Sequence, residues 1–263
     1  MKTVGTVIDK VLANPIAGLA PWIVYSLVEG EGRLELSASL AFGVALAILL
    51  INWLRGSAPK LLEYADVVFF GGVALFVAVA TDGQRDWLEL WGGEIANLAL
   101  VVISVGSILI RKPFTLAYAK EETPEEYWDT PQFLRANYII TGAWALAFIV
   151  EAASGWYGDA VLHNSDNIWT GWVVQTAALL IAVQFTLWYP ARVEAQGAIA
   201  AGESTTPPPP ITAFFAQITP LLAVAGIIAL FVGDVPVWVG VALIVVGVGL
   251  TKALSSPKPV VAA

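Results

Sequence analysis

The chain has 263 residues, of which 58% are hydrophobic and only 13% charged, and its formal net charge is −8. Soluble domains carry about 25% charged residues, so an ordinary water-facing surface is excluded, and the wealth of apolar residues excludes disorder. The acidic balance speaks against nucleic acid as a partner. With no cysteine and a single histidine, His163, the chain itself supplies no disulfide, thiol nucleophile, iron–sulfur ligand or bis-histidine haem site.

What remains is a chain whose main solvent is lipid. A spanning helix needs about 20 mainly apolar residues, and eight such runs follow one another at 14–28, 37–54, 64–80, 94–110, 137–155, 170–189, 212–232 and 236–254. The first is the shortest and contains Pro15 and Pro21. Lys2 and Lys10 precede it, and it is read as a retained span rather than a cleaved signal peptide. The expected fold is an all-α polytopic bundle of about eight transmembrane helices with both termini cytoplasmic.

Loop charge tests this count independently. With the N-terminus inside, the inner segments hold Lys2, Lys10, Arg55, Lys60, Arg111, Lys112, Lys120, Arg135, Arg192, Lys252 and Lys258, whereas the outer ones hold Arg33 and Arg85. That split obeys the positive-inside rule, and a miscounted helix would have inverted every later loop. The acids gather on the other side, in Glu29, Glu31, Glu35, Asp82, Asp86, Glu89, Glu94, Glu151, Asp159, Asp166 and Asp234. The acidity of the chain is thus a property of one face.

Two inner connections stand out. In the first, Thr123-Pro124-Glu125-Glu126 reads as a capping box that opens a short interfacial helix, and Thr130-Pro131 reads as the cap of the fifth span. The second ends in the prolines 207–210, which favour an extended polyproline stretch. The expected organisation is therefore a six-span core at 1–193, a Pro-rich linker at 194–211 and a two-span hairpin with its tail at 212–263.

The order of several landmarks resembles the intracellular septation protein A family of bacterial inner-membrane proteins. They are Ala20-Pro21-Trp22 in the first span, Asp86-Trp87 in an outer loop, Lys112-Pro113 inside, Ala143-Trp144-Ala145 in the fifth span and Asn167-Ile168-Trp169 before the sixth. The resemblance covers residues 12–193. The segment 123–133, the proline tract and the last hairpin are additions to that pattern, and they mark a relative rather than a member. The resemblance implies a multi-pass place in a bacterial inner membrane and a part in cell-envelope or septum maintenance. It brings no catalytic residues.

Each candidate residue has a plain reading beside a functional one. Glu151, Asp66, Asn97, Gln175 and Gln184 are polar groups within spans, where they either join neighbouring helices by hydrogen bonds or line a solute path. For Asp66 the plain reading is a place at the headgroups beside Arg55 and Lys60. Trp22, Trp87, Trp91, Trp156, Trp169, Trp172 and Trp238 fall near the outer boundary, either as interfacial anchors or as the rim of a pocket for a bound lipid or pigment. Glu121, Glu122, Glu125, Glu126 and Asp129 form either a solvated face or an inner docking patch. His163, with Asp159, Asn164 and Asp166, is either a solvated loop group or a weak metal site. Pro21 and Pro220 are expected to kink their helices, and Gly240 and Gly247 to allow close packing.

With no catalytic constellation or cofactor motif at readable spacing, the expected function is non-enzymatic and without a cofactor. It is a membrane scaffold or accessory subunit of a cell-envelope or energy-converting complex, with a protein partner or a second copy beside the lipid bilayer. The alternative is a transporter or channel for a small solute or lipid, using the polar residues within the bundle.

Overall fold

A computed structural model describes residues 15–164, 167–232 and 235–255. Lys2, Lys10, Asp166, Asp234 and Lys258, which enter the charge pattern above, lie outside them. All regular structure among the described residues is helical. The chain divides into two compact units, Met1–Gly171 and Trp172–Ala263. The divide falls two residues into the sixth expected span (170–189) rather than at the linker, so nearly all of that span groups with the terminal pair.

The first unit starts with α1 (Pro15–Gly18) and α2 (Ala20–Val28), interrupted at Leu19 just ahead of Pro21. It continues through α3 (Leu34–Leu54), α4 (Leu61–Val79) and α5 (Asp82–Leu109), the short α6 (Thr115–Glu122) and α7 (Pro131–Trp156), which a π-helical turn extends to Val161. The second unit holds α8 (Val174–Ala200), α9 (Ile211–Ile218), α10 (Pro220–Val232) and α11 (Val237–Ser255).

Among the described residues, seven helices are long and apolar enough to cross a membrane: Leu34–Leu54, Leu61–Val79, Asp82–Leu109, Pro131–Val161, Trp169–Ala200, Ile211–Val232 and Val237–Ser255. They coincide with the last seven of the eight expected runs. The first run, described from residue 15, is the broken pair α1–α2 and does not reach spanning length. At most 44% of any spanning window is buried, and the rest is apolar surface, as at Val68, Val79, Leu109 and Phe231. In water such a surface would carry a large hydrophobic penalty. The protein is a multi-pass helical membrane protein.

Several helices outrun their expected ends. α5 begins at Asp82 because Thr81 and Gln84 form a capping box, with the Thr81 N–H donating to Gln84 Oε1 at 2.9 Å. α8 runs past Tyr189 to Ala200 with Pro190 inside it, so residues 194–200 are helix rather than linker. A proline removes one backbone donor and kinks a helix without always ending it. The expected box at Thr123 opens no α-helix. Instead α6 ends there, and Glu125–Tyr127 make a single 3-10 turn. The expected cap at Thr130 is present, its side chain accepting from the Phe133 N–H at 3.3 Å with Pro131 in the first turn.

In the first unit α3 packs on α2 and α4, and α5 on α7. α6 folds back against α7: Thr115 Oγ1 lies 2.8 Å from Thr141 Oγ1 and donates to Asn137 O at 3.2 Å. In the second unit the aromatic rings of Phe185, Trp188, Tyr189 and Phe214 join α8 to α9. The Trp188 indole donates to Pro210 O at 3.2 Å and Arg192 to Pro209 O at 2.6 Å, pinning the proline tract. α10 and α11 meet through glycine, because a Cβ at Gly226 would lie 2.6 Å from Gly240 O and one at Gly247 2.6 Å from Ala223 N. Thr219 and Thr251 close the far end of this pair at 2.9 Å.

Candidate functional site

At the Lys/Arg-rich end of the first unit, the corner between α3 and α4 encloses a charged network. Lys60, Glu63 and Asp66 are 2%, 1% and 1% exposed. Charged side chains are almost never buried so fully unless paired. Lys60 Nζ lies 3.0 Å from Glu121 Oε1 of α6 and 3.3 Å from Glu63 Oε1, and stands 4.8 Å above the centre of the Tyr118 ring. Asn52, at the end of α3, donates to Glu63 Oε1 at 2.6 Å. The Lys60 backbone N–H donates to Glu63 Oε2 at 3.3 Å. Thus Glu63 caps α4 and anchors Asn52 and Lys60 together.

One turn further into the unit, the Trp22 indole donates to Asp66 Oδ1 at 2.6 Å, and its ring stacks on Phe69 with centroids 4.8 Å apart. The Asp66 Oδ2 and Tyr118 hydroxyl oxygens are both buried without a hydrogen-bond partner. Burial, then the carboxylates of Glu63, Asp66 and Glu121, push the Tyr118 phenol well above its ordinary range. The phenol therefore stays protonated at physiological pH, with a hydrogen to donate.

Two expectations change here. Asp66 does not face headgroups beside Lys60, because α2 and α6 close over both residues and make them the polar core of the unit. Trp22 is no outer-boundary anchor either, since it is buried 44 residues in sequence from the aspartate it binds. In the docking patch Glu121, Glu122, Glu125, Glu126 and Asp129 are all exposed, and Glu121 also pairs with Lys60.

The opposite end carries carboxylates. The Glu29 carboxylate packs against Gly93, where a Cβ would lie 3.2 Å from Oε1, and that of Glu94 rests directly on Gly155. Burial, reinforced by Asp159, pushes Glu29 up to about 7. Glu151 lies one helical turn inward of Gly155 on the same face of α7. It is 3% exposed, with Oε1 unpartnered, so it is enclosed rather than hydrated. Arg85 reaches Glu35 at 2.6 Å. Among the described residues no three His, Cys, Asp or Glu side chains gather as a metal site; His163 is exposed, and Asp166 lies outside those residues.

Trp87, Trp156 and Trp172 are exposed, whereas Trp91 and Trp169 are half-buried. Asn97, Gln175 and Gln184 are half-buried within their helices, and Asn97 and Gln175 each have a polar contact. The residues that sequence reasoning passed over are Asn52, Lys60, Glu63 and Tyr118. Their signal was the i, i+3 spacing of Lys60, Glu63 and Asp66 and of Tyr118 and Glu121, which puts each set on one helix face. From sequence such faces read as solvated helix ends.

Fold and site together define a multi-pass helical membrane protein whose first unit is fastened by an internal ion network. In comparisons with known proteins, no family model, curated protein or solved structure matches the chain.

Proposed function

We propose that the protein is a non-enzymatic scaffold or accessory subunit of a cell-envelope or energy-converting complex, set in a bacterial inner membrane with its basic end in the cytoplasm. The observation that carries this reading is the ion network of Lys60, Glu63, Glu121 and Asn52. Lys60 and Glu63 are enclosed, and Glu121 reaches Lys60 from the exposed end of α6, which ties the α3–α4 corner to α6. Buried polar networks of this kind rigidify a fold and specify one arrangement. Polar contact with other molecules is then left to the surface, above all to Glu122, Glu125, Glu126 and Asp129. The ordered landmarks shared with the septation protein A family support the envelope setting.

The test is the mass of the particle purified in mild detergent. A particle well above the 27.9 kDa chain, after allowance for detergent, is expected, holding a second copy or a co-purifying protein. Joint Glu125→Lys and Glu126→Lys substitution should release a basic partner. A lone monomer under all mild conditions would overturn the reading.

A second reading is favoured by the unpartnered carboxylate oxygens of Asp66 and Glu151, since buried acids in spans often mark solute or proton paths. On that reading the bundle moves a small solute or lipid, with Asn97, Gln175 and Gln184 as further polar groups. Flux into liposomes that Glu151→Gln abolishes would support it, and unchanged flux removes that residue from the path. The tryptophans Trp87, Trp91, Trp156 and Trp169 of the first unit suit a bound lipid or pigment, which extraction and absorption spectra of the purified protein would reveal.

A further inference from the structure

At the acidic end of the first unit, carboxylates rather than an ion pair seat α2 on its neighbours. Glu29, the C-cap of α2, has its Oε1 3.2 Å from where a Cβ at Gly93 of α5 would stand. The next residue of α5, Glu94, rests its own carboxylate directly on Gly155 of α7. Asp159 follows four residues on, in the π-helical turn that extends α7. Its charge acts on both Glu29 and Glu94, and the charge of Glu29 acts on Glu94. Three acids from three elements therefore meet at this seam.

No base offsets them. Among the described residues neither lysine nor arginine pairs with Glu29, Glu94 or Asp159. On α2 itself the Tyr25 hydroxyl rests on Gly92, and in the turn to α3 Glu31 is exposed and Arg33 lies against Gly30. Glu35 of α3 takes up Arg85 of α5 at 2.6 Å, and Asp86 and Glu89 of α5 are exposed. Beyond α7, His163 Nδ1 lies 3.2 Å from Val161 O, within its own turn. Burial and then Asp159 oppose ionisation of Glu29 and bring its titration up to about 7. The turn behind Glu29 is also able to move. Gly30 and Gly32 hold φ of 148° and 70°, which glycine adopts without steric cost, and such residues absorb the backbone change of a hinge.

We propose that the end of α2 and the α2–α3 turn form a proton-operated latch: protonated Glu29 stays seated on α5 at Gly93, and ionised Glu29 is lifted off by repulsion from Glu94 and Asp159. The sign follows from the cluster, because each added negative charge among like neighbours disfavours the closed seam. Acid closes the latch and alkali opens it. The latch needs neither a partner nor flux through the bundle.

The test is the distance between spin labels on Glu31→Cys and Leu162→Cys, both at exposed positions of the full-length protein, which has no cysteine of its own. At about pH 5 a single short distance is expected, and a longer population should replace it towards about pH 9, half converted at about 7 where Glu29 titrates. Glu29→Gln keeps the shape of the side chain and cannot ionise, so it should hold the short distance throughout. Asp159→Asn removes one like charge and should lower the midpoint by at least about half a pH unit. A Glu29 that only packs against α5 would leave that midpoint where it is. Identical distances at the two ends of the pH range, the same pH profile in Glu29→Gln, or an unmoved midpoint in Asp159→Asn would each overturn the proposal.

Discussion

Lys60 shows how far a single side chain can set the character of a membrane unit. Its sequence setting, in a short basic corner, is that of a headgroup-facing lysine, yet the structure leaves it 2% exposed between Glu63, Glu121 and Tyr118. Breaking a buried pair from one side leaves the other charge uncompensated, which costs about 3–5 kcal/mol, whereas replacing both members by apolar groups is often neutral. Lys60→Met should therefore destabilise the protein by about that amount in denaturant unfolding. The double variant Lys60→Met, Glu63→Met should recover most of the loss, less the Asn52 contact. Glu29 gives a second prediction at this scale. In the fold its carboxyl titrates near 7 instead of 4.5, so the folded state binds the proton more tightly than the unfolded chain. Its contribution to stability is then greatest below pH 4.5, falls as pH rises to about 7, and is constant above. The difference in unfolding temperature between the protein and Glu29→Gln should follow that window.

Helices here are bounded by local chemistry as much as by hydrophobic length. α5 starts at a Thr81–Gln84 box placed well before its apolar run, a signal present in the sequence but outweighed by the polar residues that follow. α7 starts where Thr130-Pro131 says it should. The Thr123 box opens no helix because α6 already uses the preceding residues, with Thr115 and Tyr118 turned inward. Between α10 and α11 the decisive local feature is the absence of side chains. Gly240 has Leu230 Cδ2 2.7 Å and Gly226 O 2.9 Å from the position of a Cβ, distances no real side chain tolerates. Gly240→Val should force these helices apart and destabilise the second unit by about 1–3 kcal/mol. Limited proteolysis of the 201–210 connection, together with thermal unfolding, would register this, while Gly249→Val, at a glycine with open space around it, should change neither.

For the molecule as a whole, the sorted charge and the absence of cysteine make topology directly measurable. Single-cysteine variants need no background removal, because the chain has none of its own. Glu31→Cys, between α2 and α3, and Glu125→Cys, beyond α6, lie on exposed turns at opposite ends of the first unit. In intact cells a membrane-impermeant maleimide should label Glu31→Cys but reach Glu125→Cys only after the membrane is opened. The reverse pattern would invert the orientation taken from the positive-inside distribution.

Composition and periodicity determined, unaided, that the chain is a helical membrane bundle and where seven of its spans lie. These follow from the cost of exposing apolar side chains to water and backbone amides to lipid, which acts on any apolar run of sufficient length whatever its neighbours. Only the tertiary structure decided that Lys60, Glu63 and Asp66 face inward, that Trp22 serves Asp66 rather than the interface, and that the compact units part at Gly171. Those outcomes depend on which helix covers which face. Whether a lysine at a helix end is solvated or enclosed is settled by a tyrosine and a glutamate about sixty residues away, and spacing along one helix carries no trace of that contact.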